Sequence, residues 1–333
     1  MSAAAAVWFP RARSVELRTE DINEPGPDEV RVRAALSAIS HGTEMLVYRG
    51  EVEADLALDL PTLVGGYGFP LKYGYASVGR AVAVGRDVRG VREGDLVFAL
   101  HPHQDEYVVS ESLVRRLPDR TAPEQGVFLA NLETAINVVL DAKPRLGEVV
   151  AVFGQGVVGL LVTQLLRRSG ARVLAVEPSA LRRSFAERCG ADTAIVPGDG
   201  DHLRSLTSGR GADIAIDASG SPSALQEAID CVAAEGTVVV CSWYGEKPVP
   251  LDLGGHFHRG RVRLVSSQVG RIDPSLAPRW DRDRRLELAT ELLGELVLAD
   301  LITHRIPFAR AAEAYALLDD RGAETVQVVL DYA

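Results

Sequence analysis

Cysteine is scarce in this chain: three residues in 333, Cys189, Cys231 and Cys241, with none before position 189. That excludes a disulfide framework and a CxxC zinc pattern, and it fits a reducing cytoplasm. No apolar run approaches the roughly 20 residues that span a bilayer. The opening MSAAAAVWFPRARS has no basic region followed by a long apolar stretch, so no signal peptide and no membrane partner are expected. Positive charge is also in deficit: 36 Lys and Arg against 46 Asp and Glu leave a formal net charge of −10. Nucleic acid and anionic membranes both need a basic face, so neither is expected as partner. Internal repeats, low-complexity tracts and long charge runs are absent. What is there is ordinary globular material, 47% apolar and 25% charged, long enough for two domains.

The texture changes along the chain. Residues 1–120 read as short strands punctuated by Gly and Pro: EVRVRAALSAI (29–39), SVGRAVAVG (77–85), GDLVFAL (94–100) and DEYVVS (105–110). From about residue 121 strands and helices alternate. EVVAVF (148–153) has the look of a buried parallel strand. A helix over 157–170, a strand over 171–177 and a helix over 179–190 follow, the last with Ser179 as N-cap and Gly190 as stop. Strands at 213–220, 236–243 and 261–267 and a helix at 223–233 continue the alternation, which predicts a parallel sheet covered by helices. Helices near 283–298 and 309–319 and a strand at 325–332 close the chain. The expected domains are 1–120, 121–270 and a return over 271–333 that completes the first.

The most informative motif is VAVFGQGVVGLL. Gly154, Gly156 and Gly159 make GxGxxG between a strand and a helix. The first glycine permits a tight turn, the second lets backbone approach a pyrophosphate, and the third allows close helix–strand packing. Gln155, Val157 and Val158 belong to the same cradle. The next strand ends in Glu177, 18 residues past Gly159, near the roughly 20 at which a ribose-binding acid stands. Such an acid would repel a 2′-phosphate, so NAD(H) is favoured over NADP(H). Arg182 and Arg183 pull the other way if they hold a phosphate; the alternative for them is a solvated helix face.

Taken together, GTEMLVYRG (42–50), GYASVGRAVAVG (74–85), VREGDLVFAL (91–100), the glycine fingerprint, AERCGAD (186–192), IDASGS (216–221) and THRIPFARAAEAYALL (303–318) resemble the medium-chain dehydrogenase/reductase superfamily over essentially the whole chain. SAISHGTE and FHRGRVRLVSSQVG (257–270) look most like its branch around bacteriochlorophyllide a dehydrogenase. The resemblance implies an α/β fold, a Rossmann-type doubly wound parallel sheet plus a β-rich GroES-like catalytic domain. It also implies a cytoplasmic homodimer acting on a small-molecule substrate.

In zinc-dependent members, Gly-His-Glu stands where this chain has Gly74-Tyr75-Ala76. Their catalytic cysteine falls about where Ser40 or His41 stands, and their third ligand near Ala130. Ser, Tyr and Ala are poor replacements for thiolate, imidazole or carboxylate, so no zinc is expected. His41, His101 and His103 leave a different metal site as an alternative, since an i, i+2 pair on a strand faces one way. Without zinc, charge developing on a carbonyl oxygen needs other donors. By the family's pattern these are Tyr75 through its phenol, Thr43 and Ser40 as a proton relay, and His41 or His103 as general acid. Tyr75 reads equally as an aromatic wall, and Thr43 as a turn hydrogen bond. Glu44 is expected to be structural. Thr134 matches a position beside the nicotinamide, and Ser219, Ser242 and Trp243 follow the fourth and fifth strands, where ligands of open sheets bind. The function expected is hydride transfer between NAD(H) and an alcohol or ketone without zinc. A quinone- or enoyl-type C=C reductase and a non-catalytic dinucleotide-binding protein are the alternatives.

Overall fold

The computed structural model describes residues 2–333 apart from 59, 61 and 64. Among these the strands are, in chain order, β1 (Ser2–Trp8), β2 (Glu16–Ile22), β3 (Glu29–Ile39), β4 (Ser77–Val84), β5 (Leu96–Ala99), β6 (Glu106–Ser110), β7 (Val114–Arg116), β8 (Val149–Phe153), β9 (Arg172–Val176), β10 (Thr193–Ile195), β11 (Ala212–Asp217), β12 (Val232–Val240), β13 (Arg263–Ser266), β14 (Ile302–Pro307) and β15 (Gln327–Asp331). The α-helices are α1 (Thr43–Arg49), α2 (Pro123–Gly126), α3 (Leu129–Ala142), α4 (Val157–Arg168), α5 (Ala180–Arg188), α6 (Gly200–Leu206), α7 (Pro222–Cys231), α8 (Arg282–Leu292) and α9 (Ala311–Arg321). None is long and apolar enough to cross a membrane. None of the three cysteines is in a disulfide.

Two compact units result: residues up to Ala130 with Thr290–Ala333, and Asn131–Ala289. Both changes of unit lie inside continuous helices, α3 and α8. The first unit is β-rich. Its larger sheet runs β14-β15-β3-β4-β5-β7, with β6 also pairing β3. β3 shows why it forms there: Val30, Val32, Ala34 and Leu36 alternate onto the buried face. Val97, Tyr107 and Val109 pack against Val30 and Val32 in one core. β1 and β2 form a separate antiparallel pair, Ser2 opposite Ile22.

The second unit is a six-stranded sheet of order β10-β9-β8-β11-β12-β13, parallel at every pairing. All five residues of β8 are buried, as a central parallel strand requires. The order reverses between β8 and β11, and ligands of open sheets bind beyond the carboxyl ends at such a point. α5 begins at Ser179, whose side chain caps it, and Gly190 follows its end at φ 96°. α8 stops at Leu292 rather than 298, ahead of Gly294; glycine is a poor helix residue. The strand β10, the helix α6 and the β1–β2 pair carry no clear sequence signal.

Candidate active site

The turn after β8 is shaped by close approach. A Cβ on Gly159 would lie 1.9 Å from the Gly154 carbonyl oxygen, so helix and turn touch there. Gly156 N-caps α4 without a side-chain cap, and nothing lies within 4 Å of where its Cβ would be. The first-turn N–H groups of Val157, Val158 and Gly159 have no acceptor within the helix. This twelve-residue helix end, with its free amides and positive dipole end, fits a pyrophosphate.

Gln155 divides its roles. Its side chain is fully buried, with Nε2 donating to the Val152 carbonyl at 3.2 Å and Oε1 accepting from Thr163 at 3.1 Å. Only its main chain belongs to the cradle. Its N–H donates to Glu177 Oε2 at 2.7 Å, while Glu177 Oε1 accepts from the Ser179 N–H at 2.9 Å. The buried Glu177 carboxylate thus ties the cradle to the turn before α5. Neither neighbouring arginine is a solvated helix face. Arg183 donates to the carbonyls of Glu177 and Pro178 at 2.8 and 2.7 Å. Burial pulls the Arg182 guanidinium below the ordinary arginine range, against the opposing charge of Glu177.

Beyond the carboxyl ends of β11 and β12, a buried acid organises the loops. Asp217 Oδ1 accepts from Ser219 Oγ at 2.6 Å, and Oδ2 accepts from the Tyr244 hydroxyl at 2.8 Å. Ser242 Oγ accepts from the Gly220 N–H at 2.9 Å. Ser219 and Ser242 are therefore held as loop braces, with Trp243 partly buried beside them. Sequence reasoning missed Asp217 and Tyr244; an acid closing an otherwise apolar strand was the available signal. Thr134 is partly buried on α3.

In the first unit Ser40 and Thr43, flanking the start of α1, are near enough to the Tyr75 phenol to favour its ionised form. Burial pushes the Tyr75 phenol up to about 12; Ser40 opposes the rise, Glu44 adds to it and Thr43 opposes it. Tyr73 meets Tyr75 edge-on with ring centroids 6.3 Å apart, and Tyr67 lies 5.8 Å from Tyr73. His41, next to Ser40, is partly buried.

The other two histidines correct expectations. His103 is fully buried, with Nδ1 2.6 Å from Ser37 Oγ and Nε2 2.7 Å from Glu44 Oε1. Both ring nitrogens are engaged, so it is not placed as a general acid toward substrate. His101 stacks on Tyr107, centroids 3.7 Å apart at 8°. Among the described residues, no three His, Cys, Asp or Glu side chains are grouped to hold a metal ion. The donor set of a zinc site is not assembled from them.

A parallel sheet of this order, with a glycine cradle and an acid closing the second strand, is the fold class of the dinucleotide-dependent dehydrogenases. The family described as zinc-binding dehydrogenase matches residues 157–282. D-guloside 3-dehydrogenase of Escherichia coli K12 is 30% identical over 319 residues, 89% of this chain and 91% of its own. The 2-desacetyl-2-hydroxyethyl bacteriochlorophyllide A dehydrogenase of Cereibacter sphaeroides is 28% identical over 93% of each chain. Among solved structures, 2R,3R-butanediol dehydrogenase from Bacillus subtilis superposes with a TM-score of 0.81 at 22% identity, covering 99% of this chain and 100% of that one. An Escherichia coli CFT073 alcohol dehydrogenase in complex with NADH gives 0.81 at 20% identity over 100% of both. A Sinorhizobium meliloti 1021 dehydrogenase bound to NADP gives 0.80 at 22% identity over 99% and 100%. The chain belongs to the zinc-binding dehydrogenase family of medium-chain dehydrogenases/reductases, and is an oxidoreductase of the alcohol and polyol dehydrogenase type.

Proposed function

We propose that this enzyme transfers a hydride between NAD(H) and a secondary alcohol or its ketone, on a small or medium polyol-like substrate, with a tyrosine hydroxyl where zinc-dependent members use the metal. The observation that carries this is the Tyr75 phenol beside Ser40 and Thr43, with no group of metal ligands among the described residues. The nicotinamide supplies or accepts the hydride. Tyr75 remains protonated well past neutral pH, so in reduction it donates to the oxygen on which charge develops. Ser40 and Thr43, beside it, relay the replacement proton. The names of the relatives, dehydrogenases of D-guloside, L-threonine and butanediol, support a hydroxylated substrate.

Glu177 supports NAD(H) over NADP(H), because a 2′-phosphate would meet a buried carboxylate. The enzyme acts in the cytoplasm as a homodimer. Support for the dimer comes from β13, the last strand of its sheet, which is exposed along its length and shows Leu264 and Val265 to solvent. Unprotected edges invite pairing.

The test is NADH formation on a panel of butane-2,3-diol, threonine and alkyl glycosides, with elemental analysis of the same sample. We expect turnover with NAD⁺ that survives chelation, and NADH binding tighter than NADPH, the gap narrowing in Glu177→Ala. About one zinc per chain, with activity lost on chelation, would refute the zinc-independent reading. Tighter NADPH binding would refute the cofactor preference, and Arg182 and Arg183 would then dominate.

A further inference from the structure

Glu44 and His103 are fully buried and take no part in the reaction just described. Ionisable groups are rarely buried without a dense set of partners, and here the partners are arranged for a purpose. Glu44 Oε2 accepts from the Ser40 N–H at 3.1 Å. Its Oε1 takes both His103 Nε2 and the Tyr315 hydroxyl. His103 Nδ1 meets Ser37 Oγ, which in turn meets the Tyr332 hydroxyl at 2.8 Å. With the carboxylate ionised, one assignment satisfies every atom. Nε2–H donates to Glu44, Nδ1 accepts from Ser37, and Ser37 accepts from Tyr332.

The imidazole also abuts a second segment. Gly74 sits at φ 130°, and a Cβ there would lie 2.8 Å from His103 Cδ2 and 2.9 Å from Nε2. The ring is therefore wedged between Glu44 at the start of α1, whose other oxygen holds the Ser40 N–H, and the Gly74-Tyr75 turn. Glycine at 74 is what lets the ring lie against the backbone. A thinner or mobile side chain at 103 would let the two segments drift. We propose that His103, locked by Glu44, is a positioning residue that sets the spacing between the Tyr75 hydroxyl and those of Ser40 and Thr43. The inference rests on the reading that Tyr75 acts on the reacting oxygen.

A double-mutant cycle on oxidation of butane-2,3-diol tests it. In the wild-type frame, Tyr75→Phe is expected to lower kcat by about 10²–10³-fold, the usual cost of one oxyanion donor. In the His103→Gln frame, which keeps a hydrogen-bond donor but not the ring, the same change is expected to cost less than about threefold, since a misaligned hydroxyl has little left to lose. NADH affinity stays the same in all four proteins. An equal cost of Tyr75→Phe in both frames overturns the positioning role. No cost in the wild-type frame, or no turnover at all, is a failure of the Tyr75 reading instead. Amide hydrogen exchange then decides on positioning. Residues 37–48 and 72–78 should exchange at least about tenfold faster in His103→Gln, with Asn131–Ala289 unchanged; exchange like wild type in both segments overturns the proposal. If His103→Gln does not fold, Tyr315→Phe, which removes one donor to Glu44, goes through the same cycle and the same exchange measurement. A smaller cost of Tyr75→Phe in that frame, or faster exchange in both segments, then supports positioning, and wild-type behaviour overturns it.

Discussion

His101 lies flat on Tyr107, with its Nδ1 bonded to the Pro102 carbonyl at 2.9 Å. Burial pulls its imidazole down to about 3, against the hydrogen bond to Pro102. The unfolded chain binds a proton at an ordinary histidine pKa near 6.5, while the folded chain refuses it until about pH 3. Stability is therefore full above pH 6.5 and is lost as pH falls toward the folded value. Between about pH 7 and pH 5 this single residue should remove about 2 kcal/mol from the unfolding free energy. Urea denaturation at the two pH values checks it: His101→Phe, which keeps the stack, should flatten that part of the pH dependence. At this scale the sequence was readable only in part. It offers Tyr75, Ser40 and Thr43 for one site only through the family's pattern, and it gives Glu44 a structural part. It offers His101 as a metal ligand and His103 as an acid or a metal ligand because spacing shows which residues are near each other along the chain. What consumes the His103 nitrogens, Ser37 and Glu44, arrives from other strands and helices.

Elements were legible where the signal is local. The strand, glycine turn and helix of the dinucleotide cradle follow from a dozen consecutive residues, because sterics at the turn demand glycine. Gly159→Ala would put a methyl 1.9 Å from the Gly154 carbonyl. We expect NADH binding lost, with destabilisation of about 3 kcal/mol or more in the manner of overpacked sites, read by titration and thermal melts. β1 was silent for the opposite reason. Ala3–Ala6 are the best of helix formers, yet antiparallel pairing with β2 makes them a strand, and no local preference reports a partner. β13 belongs to this scale too. If copies of the enzyme pair through this edge, as proposed, Leu264→Arg should place charge on it and lower the mass measured by light scattering after size exclusion. A mass unchanged from wild type would move the interface elsewhere.

At the scale of the whole molecule, the chain leaves its first unit at Ala130 and returns to it at Thr290. The sequence pattern offers helix and strand in this last stretch, but not how far into the sheet the strand lies. α9 is tied back to early residues, with Asp319 bonded to Arg13 and to Arg49. β15 does not decorate the margin of the large sheet; it lies between β14 and β3, with Val328 opposite Ile39 and Asp331 opposite Leu36. During synthesis this reverses the order of completion. Asn131–Ala289 is contiguous and has all six of its strands well before residue 327 leaves the ribosome. β3, made far earlier, must wait with Leu36, Ala38 and Ile39 along an unpaired edge, the kind of surface that sticks to other nascent chains. The contiguous unit can therefore close first, while the unit that holds β3 keeps that edge open until β15 has been made.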